Sequence, residues 1–151
     1  MVDEKVDLGK VILEMILDYM PLAIENRRLI ELDCASEPIM VRGNRRAIES
    51  IVANLIDNAL RAEPDDGVAL LRVDADATVE VIDHGEGVAW EDRENIFEPF
   101  WRKSEAKTSG TGLGLSIVKD MMKHLDGSVW VEETPGGGAT FKLSFQKARA
   151  D

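Results

Sequence analysis

Apolar residues recur at helical spacing in three segments of the chain, which cover residues 6–26, 45–61 and 113–125. We expect the first helix to be disturbed near Pro21, because proline lacks a backbone N–H. The second helix has Asn44 as its predicted N-cap. The third stops at Gly127, which suits the left-handed position that follows many helices.

Short runs of alternating or β-branched residues predict strands between these helices. They cover residues 29–34, 39–41, 68–73, 78–82, 128–132 and 139–145. The order of elements predicts an α/β sandwich, with three main helices on one face of a mixed, mostly antiparallel five-stranded sheet. A length of 151 residues favours one domain over residues 1–151, which we expect to be ordered over about residues 6–146.

The composition is that of a globular protein with a substantial core, since 44% of the residues are apolar and 31% are charged. The net charge of −11 argues against a general nucleic-acid binder, which needs a basic surface. The same charge means that a polyphosphate ligand would need local cations, backbone N–H groups or a metal ion to hold it.

The chain has a single cysteine, Cys34, so an internal disulfide is impossible and we expect a buried, inert thiol. No apolar stretch reaches the roughly 18–20 residues that cross a bilayer, and the N-terminus lacks the features of a signal peptide. We therefore expect a cytoplasmic chain that is not itself inserted in a membrane, whether or not a longer parent protein is anchored in one.

Three polar residues, Asn54, Asn58 and Arg61, share one stripe of the second helix because they lie four and three residues apart. Asparagine is a poor helix former, so two of them one turn apart suggest a use. An amide oxygen can ligate a hard cation such as Mg²⁺, and an arginine can contact a phosphate. An ordinary solvated helix face is the alternative, and spacing alone favours it.

The segment Asp83-His84-Gly85-Glu86-Gly87 directly follows a predicted strand. Its glycines permit a ligand to approach the backbone closely, and an aspartate at the end of a strand can accept a hydrogen bond from an amino group. A strand that ends in a polar turn is the alternative.

A second glycine-rich segment, Gly110-Thr111-Gly112-Leu113-Gly114-Leu115, opens the third helix. Exposed N–H groups and the positive end of the helix dipole make such a turn suitable for binding phosphate. The segment lacks the Gly-Lys-Ser/Thr ending of a P-loop and the βαβ context of a dinucleotide fingerprint. A flexible glycine hinge is the alternative.

The long irregular segment between these two motifs contains aromatic and basic residues. Phe97 and Phe100 are placed to dock a mobile loop onto the core. Arg102, Lys103 and Lys107 form a local basic patch, which anion capture by an acidic chain would require. A solvated loop is the alternative.

Together, residues 54–59, 83–87, 97–100 and 110–115 resemble the N box, first glycine box, F box and second glycine box of sensor histidine kinases. These kinases belong to the gyrase, chaperone and histidine kinase ATPase superfamily, which has the Bergerat fold. Four boxes in the right order make the resemblance specific, and it covers about residues 6–145. It implies the catalytic ATP-binding domain of a two-component sensor histidine kinase.

The resemblance implies a role for each matching residue. Asn58 is similar to the Mg²⁺ ligand, Asn54 to its partner one turn earlier, and Arg61 to a residue that contacts phosphate. Asp83 resembles the carboxylate that binds the adenine amino group, in a pocket shaped by Gly85 and Gly87. The phosphate-binding set implied by the resemblance is Arg102, Lys103, Lys107, Gly110, Thr111, Gly112, Leu113 and Gly114.

Among these residues, Asn54, Asn58 and Arg102 are the expected catalytic group. The side chains of Leu113 and Leu115 are expected to pack on the core. One position departs from the family pattern, because Ala62 lies where many members carry an aromatic residue that stacks on adenine.

Neither histidine of the chain, His84 or His124, has the setting of a phosphoacceptor. In the family that histidine lies on a dimerising helical hairpin before this domain, so we expect the hairpin to be absent and the isolated domain to be monomeric. The implied function is binding of ATP and Mg²⁺ and transfer of the γ-phosphoryl group to that hairpin, with a response regulator downstream.

Two alternatives stay open at this point. One is a serine kinase or ATP hydrolase of the same superfamily, although Asn54 occupies the place of the glutamate base that hydrolases carry. The other is a non-catalytic nucleotide-sensing module, for which Ala62 is the only support.

Overall fold

The computed structural model of the protein describes residues 4–101 and 113–149. Within these ranges there are three α-helices and seven strands. The helices are α1 (Leu8–Glu25), α2 (Arg45–Ala62) and α3 (Gly114–His124). The strands are β1 (Glu4–Asp7), β2 (Leu29–Cys34), β3 (Met40–Gly43), β4 (Val68–Val73), β5 (Thr78–Ile82), β6 (Ser128–Glu133) and β7 (Ala139–Ser144).

Five of the strands form one sheet in the order β2-β4-β5-β7-β6. The β2–β4 pair is parallel and the other pairs are antiparallel, so the sheet is mixed and mostly antiparallel, as predicted. The three helices cover one face, and α2 lies at the centre with its apolar stripe buried. This stripe consists of Ile48, Ile51, Val52, Leu55, Ile56 and Ala59. The Asn44 side chain caps α2 by accepting a hydrogen bond from Ala47 N at 3.0 Å, as expected.

The first helix differs from its prediction at its start and at Pro21. Val6 lies in β1, which pairs with β3 in a separate two-stranded sheet, and α1 begins only at Leu8. The helical pattern is misleading at Val6 because this side chain is buried by pairing with Val41 rather than by a helix face. The expected disturbance at Pro21 is also wrong, because α1 runs through this exposed residue to Glu25.

The end of α3 also corrects a prediction. Asp126, and not Gly127, adopts the left-handed conformation, with φ of 56°. Glycine is required at position 127 for another reason, since a Cβ there would lie 2.5 Å from the carbonyl oxygen of Ser144. This glycine therefore allows the end of α3 to contact β7 closely.

The opposite face of the sheet carries a row of alternating charges across neighbouring strands. Arg72 contacts both Asp33 and Glu80 at 3.3 Å, and Lys142 contacts Glu80 at 3.5 Å and Glu132 at 3.3 Å. Cross-strand register aligns the first four of these residues, so each charge faces an opposite one. Among the residues described, no helix has the length and apolarity that crossing a membrane requires.

Candidate functional site

The N-terminus of α3 lies directly against Asn54 in the middle of α2. Asn54 is half-buried, and its Nδ2 donates a hydrogen bond to Ser50 O at 2.9 Å. A Cβ on Gly114 would lie 3.0 Å from Asn54 Oδ1. The absence of a side chain at Gly114 therefore lets the first turn of α3 approach the amide oxygen of Asn54.

The C-terminal end of α2 meets the loop formed by residues 83–87. A Cβ on Gly85 would lie 2.4 Å from Ala62 O, so only glycine permits this contact. Asn58 is half-buried and lies one helical turn from both Asn54 and Ala62. The fold therefore places Asn58 on α2 between the contact with Gly114 and the contact with Gly85.

Asp83 is the most buried acidic residue of this region, with 1% of its surface exposed. Its Oδ1 accepts hydrogen bonds from Gly85 N at 2.9 Å and from Ala139 N at 3.2 Å. Burial raises the pKa of Asp83, while these two hydrogen bonds oppose the shift. Both hydrogen bonds from the described residues reach Oδ1, so Oδ2 is the oxygen left to accept a bond from a ligand.

The turn between β6 and β7 packs against the backbone of Asp83. The Thr134 hydroxyl donates to Asp83 O at 3.0 Å and pairs with the Thr140 hydroxyl at 2.9 Å. Gly138 has φ of +118°, and a Cβ there would lie 2.0 Å from Asp83 O. Sequence reasoning treated this segment only as a turn. The three consecutive glycines at 136–138 are more than a tight turn needs, and they were the sequence feature that could have indicated a close backbone contact here.

Gly87 is the glycine of this loop that needs a left-handed conformation, with φ of +79°. A Cβ at Gly87 would lie 3.0 Å from Gly138 O. The 83–87 loop is thus held between the end of α2 on one side and the β6–β7 turn on the other.

Arg61 does not share the surroundings of the two asparagines. Its Nε contacts Asp57 Oδ2 at 2.9 Å, one turn earlier on α2. Both residues line a cavity of about 310 Å³ between α1 and α2, which also includes Arg28 and Asn26. A contact between Arg61 and phosphate stays a prediction.

The two phenylalanines of the 97–100 segment behave differently. Phe97 is buried and packs edge-to-face on Phe141, with ring centroids 6.2 Å apart, so its predicted docking on the core is confirmed. The same prediction is wrong for Phe100, which is 66% exposed. Phe100 adopts a left-handed φ of 63°, and it is the next residue, Trp101, that packs against the core.

Most of the predicted phosphate-binding residues lie outside the described residues: Arg102, Lys103, Lys107, Gly110, Thr111 and Gly112. Leu113 is half-buried just before α3, and its carbonyl accepts hydrogen bonds from Ser116 Oγ and Ile117 N. Leu115 packs against the core as expected.

The described residues contain no group of three or more His, Cys, Asp or Glu side chains that could hold a metal ion alone. Mg²⁺ does not require such a group, because it commonly binds through one or two protein oxygens together with substrate phosphates. The half-buried amide of Asn58, with Asn54 one turn away, fits a Mg²⁺ ion that arrives with a nucleotide.

Comparison with known proteins identifies the family. Residues 43–149, well over half of the chain, match the family model described as histidine kinase-, DNA gyrase B-, and HSP90-like ATPase. The chain belongs to this ATPase family. The resemblance to histidine kinases and the predicted α/β fold are therefore confirmed.

Individual relatives are sensor kinases. The chain is 33% identical over 145 residues to the sensor-like histidine kinase SenX3 of Mycobacterium tuberculosis (strain ATCC 25618 / H37Rv). This match covers 92% of the chain and 35% of SenX3. The chain is 43% identical over 105 residues to the sensor histidine kinase CpxA of Escherichia coli (strain K12), covering 67% of this chain and 23% of that protein. The chain thus spans about a third of these relatives or less.

Solved structures share the fold along almost the entire chain. The mycobacterial sensor histidine kinase MprB has a TM-score of 0.85 at 25% identity, covering 99% of this chain and 100% of that one. Full-length ShkA, whose crystal structure contains AMPPNP, has a TM-score of 0.86 at 28% identity, covering 99% of this chain and 32% of that one.

Proposed function

We propose that the chain binds Mg·ATP and donates the γ-phosphoryl group to a histidine on a helical hairpin elsewhere in its parent sensor kinase. The observation that carries this proposal is the buried Asp83 carboxylate at one end of α2 and the glycine start of α3 at Asn54. Asn54 and Ala62 are eight positions apart, a rise of about 12 Å along a helix. A ligand that contacts both places must therefore be elongated, as a nucleoside triphosphate is.

At the adenine end, Asp83 Oδ2 accepts a hydrogen bond from the exocyclic amino group. The backbone bonds to Oδ1 hold the carboxylate in place, so little reorganisation accompanies binding. Ala62 offers no aromatic surface above the base, so stacking from this position does not contribute to affinity.

At the phosphate end, the N-terminus of α3 directs backbone N–H groups and a positive dipole end at the triphosphate. The Asn58 amide oxygen, with Asn54 beside it, would hold Mg²⁺, which neutralises charge on the phosphates when bound. Arg102, Lys103 and Lys107 are proposed to supply further positive charge from the segment that follows Trp101. These groups together offset the net charge of −11 that would otherwise repel the ligand.

The transfer itself forms a bond between a histidine ring nitrogen and the γ-phosphorus while the bond to the β–γ bridging oxygen breaks, which releases ADP. Positioning and charge neutralisation account for catalysis of this kind of step. The acceptor histidine, and any acid–base group that takes its ring proton, belong to the hairpin. A response regulator would then receive the phosphoryl group, and cytoplasmic ATP would be the donor.

Asn54 distinguishes this proposal from ATP hydrolysis. An amide cannot act as the general base that activates water, and the Asn54 amide donates a hydrogen bond to Ser50 O. We therefore expect slow hydrolysis in the absence of the hairpin.

The test is transfer of label from γ-labelled ATP to the purified hairpin of the parent protein. We expect the wild-type chain to label the hairpin, and Asn58→Ala to reduce the rate at least about tenfold, since Mg²⁺ would lose its protein ligand. Asn26→Ala, at the exposed C-cap of α1, is the matched control and should behave as wild type. Absence of labelling by the wild type, or an unchanged rate for Asn58→Ala, would refute the proposal.

A further inference from the structure

A second carboxylate is buried beside Asp83, at the position where α2 ends. Glu63 is the C-cap residue of α2, and only 2% of its surface is exposed. Its backbone N–H donates to Ala59 O at 2.8 Å, which holds the residue against the last turn of the helix. A buried carboxylate is costly unless its oxygens are hydrogen-bonded, so the partners of Glu63 are informative.

His84, in the 83–87 loop, provides these partners. Its backbone N–H donates to Glu63 Oε1 at 3.0 Å, and its ring Nδ1 lies 3.0 Å from Oε1 and 3.1 Å from Oε2. The ring is about half exposed, with 48% of the side chain accessible. One carboxylate therefore binds both the backbone and the side chain of the residue between Asp83 and Gly85.

The surroundings of Glu63 leave its carboxylate little freedom to move. A Cβ at Gly67 would lie 2.2 Å from Glu63 Oε2, so the turn after α2 closes tightly around this oxygen. Arg28, between α1 and β2, donates from Nε to the backbone carbonyl oxygen of Glu63 at 2.9 Å. A fixed acceptor of this kind constrains the loop that it binds.

Glu63 constrains the carboxylate of Asp83 indirectly, through His84 and then through the N–H group of Gly85. His84 is fixed by Glu63, and the next residue, Gly85, donates its N–H to Asp83 Oδ1 at 2.9 Å. The negative charge of Glu63 also raises the pKa of Asp83, and His84 opposes this effect. The geometry and the charge at Asp83 both depend on the Glu63–His84 pair.

We propose that Glu63 and His84 are positioning residues that aim Asp83 and thereby set the preference for a 6-aminopurine over a 6-oxopurine nucleotide. This inference rests on the proposed function, in which Asp83 accepts a hydrogen bond from the adenine amino group. A 6-oxo group at the same place presents an oxygen to the carboxylate, and the two acceptors repel each other. Discrimination of this kind requires the carboxylate to be held at one position.

The experiment compares dissociation constants for Mg·ATP and Mg·ITP, measured by calorimetry on the full chain. We expect Glu63→Gln and His84→Ala each to lower the ratio of the ITP constant to the ATP constant about fivefold. The double variant should be no worse than the single variants, because both changes remove the same constraint. Loss of fold alone would lower the melting temperature without lowering the ratio.

Two control variants separate this effect from a general loss of charge or of a histidine. Glu132→Gln removes an ion pair with Lys142 on the outer face of the sheet, and His124→Ala removes the exposed histidine of α3. Both should keep the wild-type ratio. His84→Ala changes a half-exposed residue, so it tests the inference even if Glu63→Gln does not fold.

Asp83→Asn distinguishes failure of the proposed function from failure of the positioning role. If the wild type does not bind Mg·ATP, or if Asp83→Asn keeps the wild-type ratio, the proposed function fails at the adenine end. If Asp83→Asn lowers the ratio while His84→Ala keeps it, the proposed function stands and the positioning role is overturned. Additive effects of the Glu63 and His84 changes would also overturn it.

Discussion

Replacing Gly138 with alanine tests how closely the β6–β7 turn determines the position of Asp83. Gly138 has φ of +118°, and a Cβ there would lie 2.0 Å from Asp83 O and 2.7 Å from His84 Cα. Non-bonded carbon and oxygen atoms do not approach so closely, so the turn and the 83–87 loop must move apart. Such a shift would disturb the hydrogen bond from Ala139 N to Asp83 Oδ1.

The same turn contains a matched control. Gly137 also has φ of +118°, but a Cβ there would meet no atom within 4 Å. Gly137→Ala therefore measures backbone strain alone, for which we expect a loss of about 1–2 kcal/mol in the free energy of unfolding. Gly138→Ala adds overpacking of a buried site, which costs about 1–3 kcal/mol more.

The two variants should also separate in nucleotide binding. Calorimetry should show at least tenfold weaker Mg·ATP binding for Gly138→Ala, since a hydrogen bond to a charged group contributes roughly 1.5–3 kcal/mol. Gly137→Ala should bind as the wild type does. Urea unfolding followed by circular dichroism supplies the stabilities.

Equal effects of the two alanines would contradict this reasoning. If Gly138→Ala and Gly137→Ala lost the same stability, the contact with Asp83 would be of no consequence. If Gly138→Ala were less stable but bound Mg·ATP normally, the turn would not control the position of the carboxylate.

Three further predictions follow from the same contacts. Burial raises the pKa of Asp83 in the folded chain. The stability that protonation of Asp83 contributes is therefore fully present below the pKa of the unfolded state, and it is lost as the pH rises through the pKa of the folded state. Asp83→Asn should therefore stabilise the chain at pH 7 and flatten this dependence, as measured by urea unfolding across pH; an unchanged pH dependence would contradict this prediction. Glu80→Gln should cost about 0.5–1.5 kcal/mol in unfolding experiments, since Glu80 is partly buried and contacts both an arginine and a lysine; an unchanged midpoint would argue against the charge row. Gly114→Ala should weaken Mg·ATP binding about tenfold in calorimetry, because a Cβ would lie 3.0 Å from Asn54 Oδ1. The free energy of unfolding should change by less than about 1 kcal/mol, because alanine is a better helix former than glycine.

Local patterns in the sequence were sufficient for most of the secondary structure. Alternation predicted β4 and β5, and helical spacing predicted the buried stripe of α2, because these segments have one face in the core and one in water. The exceptions were β1, where Val6 continued the helical pattern of α1 by chance, and the end of α3, where close packing rather than backbone conformation requires Gly127.

The site was predicted from the order of the motifs along the chain. The contacts of each site residue depend instead on what the fold packs around it. Gly114 lies against Asn54 in the middle of α2, and Gly85 lies against Ala62 at the C-terminal end of the helix. Glu63, Thr134 and Gly138 were missed because each is separated in sequence from the loop that it supports. Arg61 was placed by helical spacing alone, which could not reveal that Asp57 binds its guanidinium.

The sequence by itself determined most of the elements, the family and the acidic character of the chain, because these depend on residue types and their spacing along the chain. Only the tertiary structure decided which groups hold the Asp83 carboxylate and which oxygen it leaves for a ligand. The physical reason is that a buried polar group must find its hydrogen-bond partners among whatever backbone the fold brings to it. For Asp83 those partners are the backbone N–H groups of Gly85 and of Ala139, more than fifty positions along the chain.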